Sequence, residues 1–155
     1  VWYTGRMMGE AIAQTLSGHR MPYNPGHWFN SAKFLDIEYQ TYGWVFPESD
    51  KKEQEAHFHW RHPKEKICVT MAYHKENKQL LGINTFGIRL RHEIVDRWLT
   101  EEKAIYYAME YLRDANFDPE FYKNYESQIV SKFNSEFGTN IHPKKRSWKR
   151  IFEKV

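Results

Sequence analysis

The sequence has little cysteine and no long hydrophobic run. Cys68 is the one cysteine among 155 residues, which excludes an internal disulfide framework and suits a reducing compartment, so we expect a cytoplasmic protein. No stretch reaches the length needed to cross a bilayer, and no signal-peptide pattern is visible, so we expect a soluble protein without membrane contacts. A net charge of +3 is too small to argue by itself for nucleic-acid binding.

The motifs of common catalytic and phosphate-binding sites are also missing. No Gly-x-Gly-x-x-Gly and no phosphate loop occurs, so the chain cannot hold a dinucleotide in the usual way. Asp36 and Glu38 form a pair of carboxylates within a strand pattern, and a polar strand face explains them better than acid and base catalysis. Cys68 lies in an apolar strand pattern, which predicts an unreactive core thiol. The residue patterns alone give no catalytic constellation.

The chain does have ample material for one core, because 41% of its residues are hydrophobic and 17% are aromatic. Alternation of apolar and polar residues predicts four strands, over residues 32–43, 56–61, 67–73 and 79–86. The third of these is apolar on both faces, which indicates an interior strand, and residues 74–78 predict a hairpin turn to the fourth. The expected fold class is α+β, an antiparallel sheet of about four strands with helices packed on one side.

Helix patterns lie at both ends of the chain. Val1 to Leu16 predicts a helix that ends just before Gly18. Gly5 and Gly9 share one side of it, which is typical of ordinary helix packing or of close approach to another surface. After the strands, a helix from about Leu90 has one apolar stripe, formed by Ile94, Val95, Trp98 and Leu99.

Two further helix starts are visible in the C-terminal part. Thr100 precedes two glutamates and is a candidate N-cap for a helix that runs to about Leu112. Asp118 followed by Pro119 is a clearer start. The helix that it opens would end before Gly138 and bury residues spaced four apart, namely Phe121, Tyr125, Ile129 and Phe133.

His57 and His59 alternate along a strand and therefore share one face, as two metal ligands can do. Zinc needs a third and a fourth ligand, and neither a cysteine nor an aspartate pair lies beside these histidines. The plainer interpretation is a solvated face whose bases lie opposite Asp36 and Glu38 as cross-strand charge pairs. A metal-dependent enzyme stays an alternative.

The tail from His142 to Val155 is basic and contains interleaved aromatic residues. Such a run is typical of nucleic-acid binding. A short basic run without a recognisable binding fold is more often a solvated helix face, or a tail that docks its aromatic residues on the core. A free-standing α+β module that binds protein or nucleic acid, through Lys144, Lys145 and Arg146, is therefore the alternative function.

Several short motifs follow one another along the chain. They are Gly5-Arg6-x-x-Gly9, Met21-Pro22-Tyr23, Trp28-Phe29-x-Ser31-x-x-Phe34, Gln40-x-x-Gly43 and the strand pattern Leu80 to Gly87, after which a helix carries Glu93. The first four motifs, in this order, resemble the segment that joins the FAD domain to the C-terminal domain in FAD-dependent pyridine-nucleotide oxidoreductases. Leu80 to Gly87 and the helix with Glu93 resemble the last strand and helix start of that C-terminal domain. Ferredoxin and rubredoxin reductases are the most similar members.

This resemblance implies that the chain is the C-terminal interface domain of a FAD-dependent NAD(P)H oxidoreductase and is inactive alone. Residues 1–18 would be a helix left over from the FAD-binding domain, and residues 19–155 the interface domain with a helical extension. The implied partners are the FAD-binding and NAD-binding domains of the same polypeptide and a second copy in a homodimer; nucleic acid is not expected. FAD and NAD(P)H would be held by the full-length parent and not by this fragment. A start without methionine, directly in a helix pattern, also leads us to expect a fragment.

The resemblance implies cofactor-binding residues as well. Trp2, Tyr3 and Thr4 would be nearest to the flavin, because the positive end of their helix would stabilise the negative charge of the reduced ring. Trp28 and Phe29 match positions that lie beside the flavin.

Two parts of the sequence depart from the family pattern. Asn30 stands where those reductases usually carry a second tryptophan. His62-Pro63-Lys64 and His142-Pro143-Lys144 lack the threonine of the glutathione-reductase motif, which argues against a disulfide substrate.

Overall fold

The computed structural model describes residues 2–117 and 123–144. Its elements in chain order are α1 (Trp2–Leu16), β1 (Phe29–Phe34), β2 (Ile37–Gly43), β3 (Glu55–Arg61), β4 (Cys68–His74), β5 (Leu80–Phe86), α2 (His92–Thr100), α3 (Ile105–Glu110), α4 (Leu112–Ala115) and α5 (Glu126–Phe137). The α+β class is confirmed, and the sheet has five strands where four were expected. Among the helices of the described residues, none is both long and apolar enough to cross a membrane.

All neighbouring strands are antiparallel, and their order across the sheet is β1-β2-β5-β4-β3. The hairpin between β4 and β5 and the interior position of β4 are as predicted. The predicted pairing of His57 and His59 with Asp36 and Glu38 is wrong, because β5 and β4 separate β2 from β3.

The additional strand arises because the chain reverses at Leu35. Phe34 and Ile37 are register partners, so Leu35 and Asp36 form the turn between β1 and β2. Leu35 has a φ of 54° and is 94% exposed. Its expected place in a continuous strand over residues 32–43 is therefore wrong, since the alternation of apolar residues continues through a tight turn without marking it.

The core lies between one face of the sheet and the helices. Tyr42, Ile83, Met71 and Phe58 form one buried row across four strands. At one end of this row Tyr42 stacks on His92 of α2, and at the other end Phe58 packs edge-on against Phe133 of α5, with ring centroids 5.2 Å apart. Both helices therefore cover the same face of the sheet.

The helix stripes are better predicted than the helix starts. Ile94, Val95, Trp98 and Leu99 are buried on α2 as expected. Thr100, predicted as an N-cap, is instead the last residue of α2, and Ala104 precedes α3 in extended conformation. A turn at residues 101–103 separates the two helices, because Glu102 has a positive φ of 51°.

Gly18 follows α1 and Gly138 caps α5, both with positive φ as predicted. On α5, Ile129 and Phe133 are buried, and Tyr125 is buried just before the helix begins. The predicted helix start at Asp118-Pro119 and the burial of Phe121 lie outside the described residues. The predicted continuation of that helix through residues 123–125 is wrong, because these residues are not helical and α5 begins at Glu126.

Candidate functional site

Helix α1 presents most of its apolar side chains to solvent. Trp2 is 73% exposed, Ile12 57% and Leu16 83%. Among the α1 residues whose burial the structure describes, Ala11 alone is buried. Exposed apolar groups at helical spacing form a stripe that is typical of a helix with a missing partner surface. We call Met8, Ile12 and Leu16 the α1 stripe.

The N-terminal end of α1 has the electrostatic character expected beside an electron-rich ring. Its first turn contains no acidic residue, so no side chain of that turn neutralises the positive end of the helix dipole. Thr4 is half-buried and Trp2 is exposed; the side chain of Tyr3 lies outside the description. A Cβ on Gly5 or Gly9 would meet no atom within 4 Å, so packing between the described residues does not require either glycine.

Trp28 belongs to a second exposed apolar surface. Its ring lies 6.2 Å from that of Trp44, with an angle of 16° between the planes. The Trp44 ring in turn lies 6.0 Å from that of Phe46, at 6°. Trp28 is 40% exposed and Trp44 60%. We call these three near-parallel rings the aromatic row.

The backbone beneath the aromatic row is fixed by hydrogen bonds from both sides. The N–H of Gly43 donates to the carbonyl oxygen of Trp28 at 2.7 Å, and the N–H of Trp44 donates to that of Leu81 at 3.1 Å. These bonds join three segments of the chain at one point. The row is thus held on ordered backbone, although Trp44 itself lies just after β2.

Phe29 lies apart from the aromatic row, because successive side chains of a strand point to opposite faces. Its ring packs 4.9 Å from Tyr42 and 4.3 Å from His92, and it remains 39% exposed. The buried hydroxyl of Tyr42 donates to the carbonyl oxygen of Leu90 at 3.0 Å. Burial, and next the charge of Glu93, raise the pKa of Tyr42 well above its usual range.

The five residues predicted from the resemblance therefore fall on three places: the end of α1, the aromatic row and the α2 side of β1. Trp44 and Phe46 were missed, although an aromatic residue directly after Gly43 was a visible signal. Sequence alone does not show that the end of β2 lies beside Trp28, since only the β1–β2 hairpin brings the two together.

The histidine pair does not form a metal centre. A nitrogen of His57 lies 2.8 Å from the buried carboxylate of Glu55, and a nitrogen of His59 lies 2.9 Å from the hydroxyl of Thr70. Within residues 2–117 and 123–144, no group of three or more histidine, cysteine, aspartate or glutamate side chains could hold a metal ion. The geometry thus offers no support for the metal-enzyme alternative.

The carboxylates of Asp36 and Glu38 pair with cations, and Cys68 is a partly buried free thiol. Glu38 pairs with Arg89 at 2.6 Å and Asp36 with Lys66 at 3.4 Å. Cys68 is only partly buried, so its predicted place in the core is wrong, while burial still raises the pKa of its thiol.

Lys144, the part of the basic tail that the structure describes, is engaged within the domain. Its ammonium donates to the hydroxyl of Tyr111 and pairs with Glu110 at 2.9 Å, and these contacts raise its pKa. Lys145 and Arg146 lie outside the described residues.

Comparison with known proteins gives a likeness in fold. No protein-family model matches the chain, and no curated protein matches it significantly. The chain is similar to the solved structure of a NAD-dependent persulfide reductase from A. fulgidus, with a TM-score of 0.55 and 15% sequence identity. The match covers 96% of this chain and 32% of that reductase. At this identity the likeness shows the fold alone, and the chain spans about a third of the reductase that it matches.

The described residues fit the ring of a flavin better than its phosphates. Apolar ring faces and an uncompensated helix N-terminus suit a flat ring system that becomes negative on reduction. No glycine-rich loop is present to receive a pyrophosphate. These features are compatible with the ring of a flavin, and the sequence has no motif for its pyrophosphate.

Proposed function

We propose that this chain is the C-terminal interface domain of a FAD-dependent NAD(P)H oxidoreductase and is not active alone. The observation that carries the proposal is the exposed α1 stripe, which is attached to a domain whose fold resembles part of a larger reductase. A helix of 15 residues that buries little of its apolar face in its own domain suits a helix that packs into another one.

In this proposal α1 packs against the FAD-binding domain of the same polypeptide. The α1 stripe is covered there, and the backbone N–H groups near Trp2 to Thr4 face the flavin. The flavin supplies the electron transfer; the helix end stabilises negative charge on the ring. Trp28 excludes water from the ring, and a dry site strengthens each polar interaction with it.

The same proposal includes a homodimer, with this domain forming part of the subunit contact. Sedimentation of the full-length gene product would give twice the subunit mass. A monomer at micromolar concentration would remove this part of the proposal and leave the flavin role intact.

The test of the function is the absorption spectrum of the full-length gene product, before and after anaerobic addition of NADH or NADPH. We expect a flavin spectrum that bleaches on reduction. A colourless product that takes up no FAD would overturn the proposal and leave a free-standing binding module as the better account. Replacing Ile12 and Leu16 of the α1 stripe with serine should lower the flavin content, whereas the matched replacement of exposed Phe34 should not.

A further inference from the structure

β1 is an edge strand, and within the described part of the chain no strand pairs with its outer side. The strand order puts β1 at one end of the sheet, next to β2 alone. The side chains of Ser31, Lys33 and Phe34 along it are exposed. An edge strand presents backbone N–H and C=O groups that another strand can pair with.

The two edges of the sheet differ in charge. β3, at the opposite edge, carries Glu55, His57, His59 and Arg61. Charged side chains on an edge strand discourage pairing with another chain. The sequence of β1 is Phe-Asn-Ser-Ala-Lys-Phe, in which Lys33 is the one charged residue and no proline occurs. β1 is therefore the edge that can better accept a further strand.

The hydrogen bonds to β2 show which backbone groups of β1 point outward. The carbonyl oxygen of Trp28 accepts from the N–H of Gly43 on β2 at 2.7 Å. Backbone groups of successive residues point to opposite sides of a strand, so every second residue after Trp28 also faces β2. The N–H and C=O groups of Phe29, Ser31 and Lys33 consequently face the open side.

One register pairs all of these groups with a second copy of the same strand. In an antiparallel pair with its two-fold axis at Ser31, this residue lies opposite Ser31 of the second copy, and Phe29 lies opposite Lys33 of that copy. An axis at Asn30 would leave Lys33 without a partner within β1. An axis at Ala32 would put Phe29 opposite Leu35, which lies in the turn.

The side chains suit the same register. Lys33 faces Phe29 of the second copy, whose ring is 39% exposed and can accept a cation over its face. The two copies of Lys33 are kept apart. One position further along, Phe34 lies opposite Trp28 of the second copy, and these two rings are 64% and 40% exposed. Cross-strand aromatic pairs of this kind stabilise a sheet.

We propose that β1 is a contact between two copies of this chain, which pair antiparallel about Ser31 and join their sheets into one. This inference rests on the homodimer of the proposed function and deepens it, because it names the strand and the register of the subunit contact. The second copy satisfies the free backbone groups of β1 and covers the exposed rings at both ends of the strand.

Disulfide trapping tests the register. In a hydrogen-bonded antiparallel pair the two Cα atoms lie about 5.5 Å apart, which a disulfide can span. Cys68 is the one cysteine of the 155-residue chain, so the background variant is Cys68→Ser. Ser31→Cys in this background should give a disulfide-linked dimer on mild oxidation. Lys33→Cys is the matched control on the same edge, because its two copies would lie about 13 Å or more apart.

Ser31→Asp and Ser31→Asn test the contact without a cross-link. The two side chains have nearly the same shape, and only aspartate places like charges opposite each other at the two-fold axis. Sedimentation velocity of the unchanged chain should show a dimer. Ser31→Asp should raise its dissociation constant roughly fivefold or more relative to Ser31→Asn. Ser31 is exposed, so both variants should keep the fold, which circular dichroism would check.

The proposal is overturned if the chain is a monomer that Ser31→Cys does not cross-link, if Lys33→Cys cross-links as readily, or if Ser31→Asp and Ser31→Asn associate equally. A monomeric chain would leave this edge to a strand of another protein.

These results are distinguishable from failure of the proposed function. A full-length product that bleaches with NAD(P)H, from a chain that Ser31→Cys does not cross-link, retains the flavin role and loses this contact. A chain that cross-links through Ser31→Cys alone, from a colourless full-length product, does the reverse.

Discussion

Gly43 on β2 and Gly82 on β5 are direct register partners, and neither has room for a side chain. The nearest atoms to a new Cβ on either residue belong to backbone, which cannot rotate away as a flexible side chain can. The pair therefore fixes how closely the segment after β2 lies against β5.

Gly82→Ala tests this packing. We expect a loss of roughly 1–3 kcal/mol in the free energy of unfolding, because the backbone near Trp44 must move to accept a Cβ. Urea denaturation followed by tryptophan fluorescence would measure it. The matched control is Gly9→Ala, where a Cβ meets nothing within 4 Å; within α1 this change should add about 0.5–1 kcal/mol. Equal stability of the two variants would contradict the steric account.

Tyr42 gives a prediction for alkaline pH. Because burial raises its pKa in the folded state, the unfolded chain loses this proton first, near pH 10, and stability falls as the pH rises above about 10. Tyr42→Phe removes the titrating group. The slope of the unfolding free energy against pH should therefore be smaller in the variant, by the contribution of one proton. At pH 7 the variant should be about 1 kcal/mol less stable, since the hydrogen bond to Leu90 is lost.

Urea denaturation at several pH values between neutral and about pH 11 would measure both effects. Burial also raises the pKa values of Tyr73 and Tyr125, and these residues are unchanged in the variant. They thus serve as an internal reference. A decline of the same slope in both proteins would show that Tyr42 ionises freely in the folded state.

Leu35 adopts a left-handed conformation that suits asparagine or glycine better. Leu35→Asn should raise the free energy of unfolding by about 1 kcal/mol, because the side chain is exposed and has no core contact to lose. The melting temperature would report the gain. Leu35→Ala is the control: it removes the same apolar group and keeps the backbone strain, so it should leave stability near its original value.

The α1 stripe should contribute little to the stability of the isolated chain. Ile12→Ser is expected to change the free energy of unfolding by less than about 0.5 kcal/mol, as exposed substitutions usually do. Phe133→Ala, on the buried face of α5, should cost about 3–5 kcal/mol. A large loss in Ile12→Ser would mean that α1 packs on its own domain.

The fold class could be predicted because strand alternation and helix stripes each reflect burial on one side. Phe58 and Trp60 on β3, and Ile94 and Trp98 on α2, are buried as their spacing requires. Boundaries were less predictable. Leu35 continues an apolar alternation through a turn, and Thr100 has the chemistry of a cap yet ends a helix, because the positive φ of Glu102 starts the reversal two residues later.

The candidate site was predictable only in part. Trp28 was recognisable from its motif, whereas its neighbour Trp44 depends on a hairpin that the sequence does not mark. The interior position of β4 was visible in its two apolar faces, but the full order β1-β2-β5-β4-β3 was hidden, because it depends on long-range pairing between β2 and β5. Local patterns carry no information about such pairings.

The strand order also sets a sequence of events in time. β3, β4 and β5 form a continuous meander of neighbouring hairpins, whereas the β1–β2 hairpin is synthesised first and has its docking edge only on β5. During synthesis this early hairpin must wait for residues 80–86 to emerge. Its aromatic residues are meanwhile open to chaperones, so the nascent chain is most vulnerable to aggregation before β5 arrives.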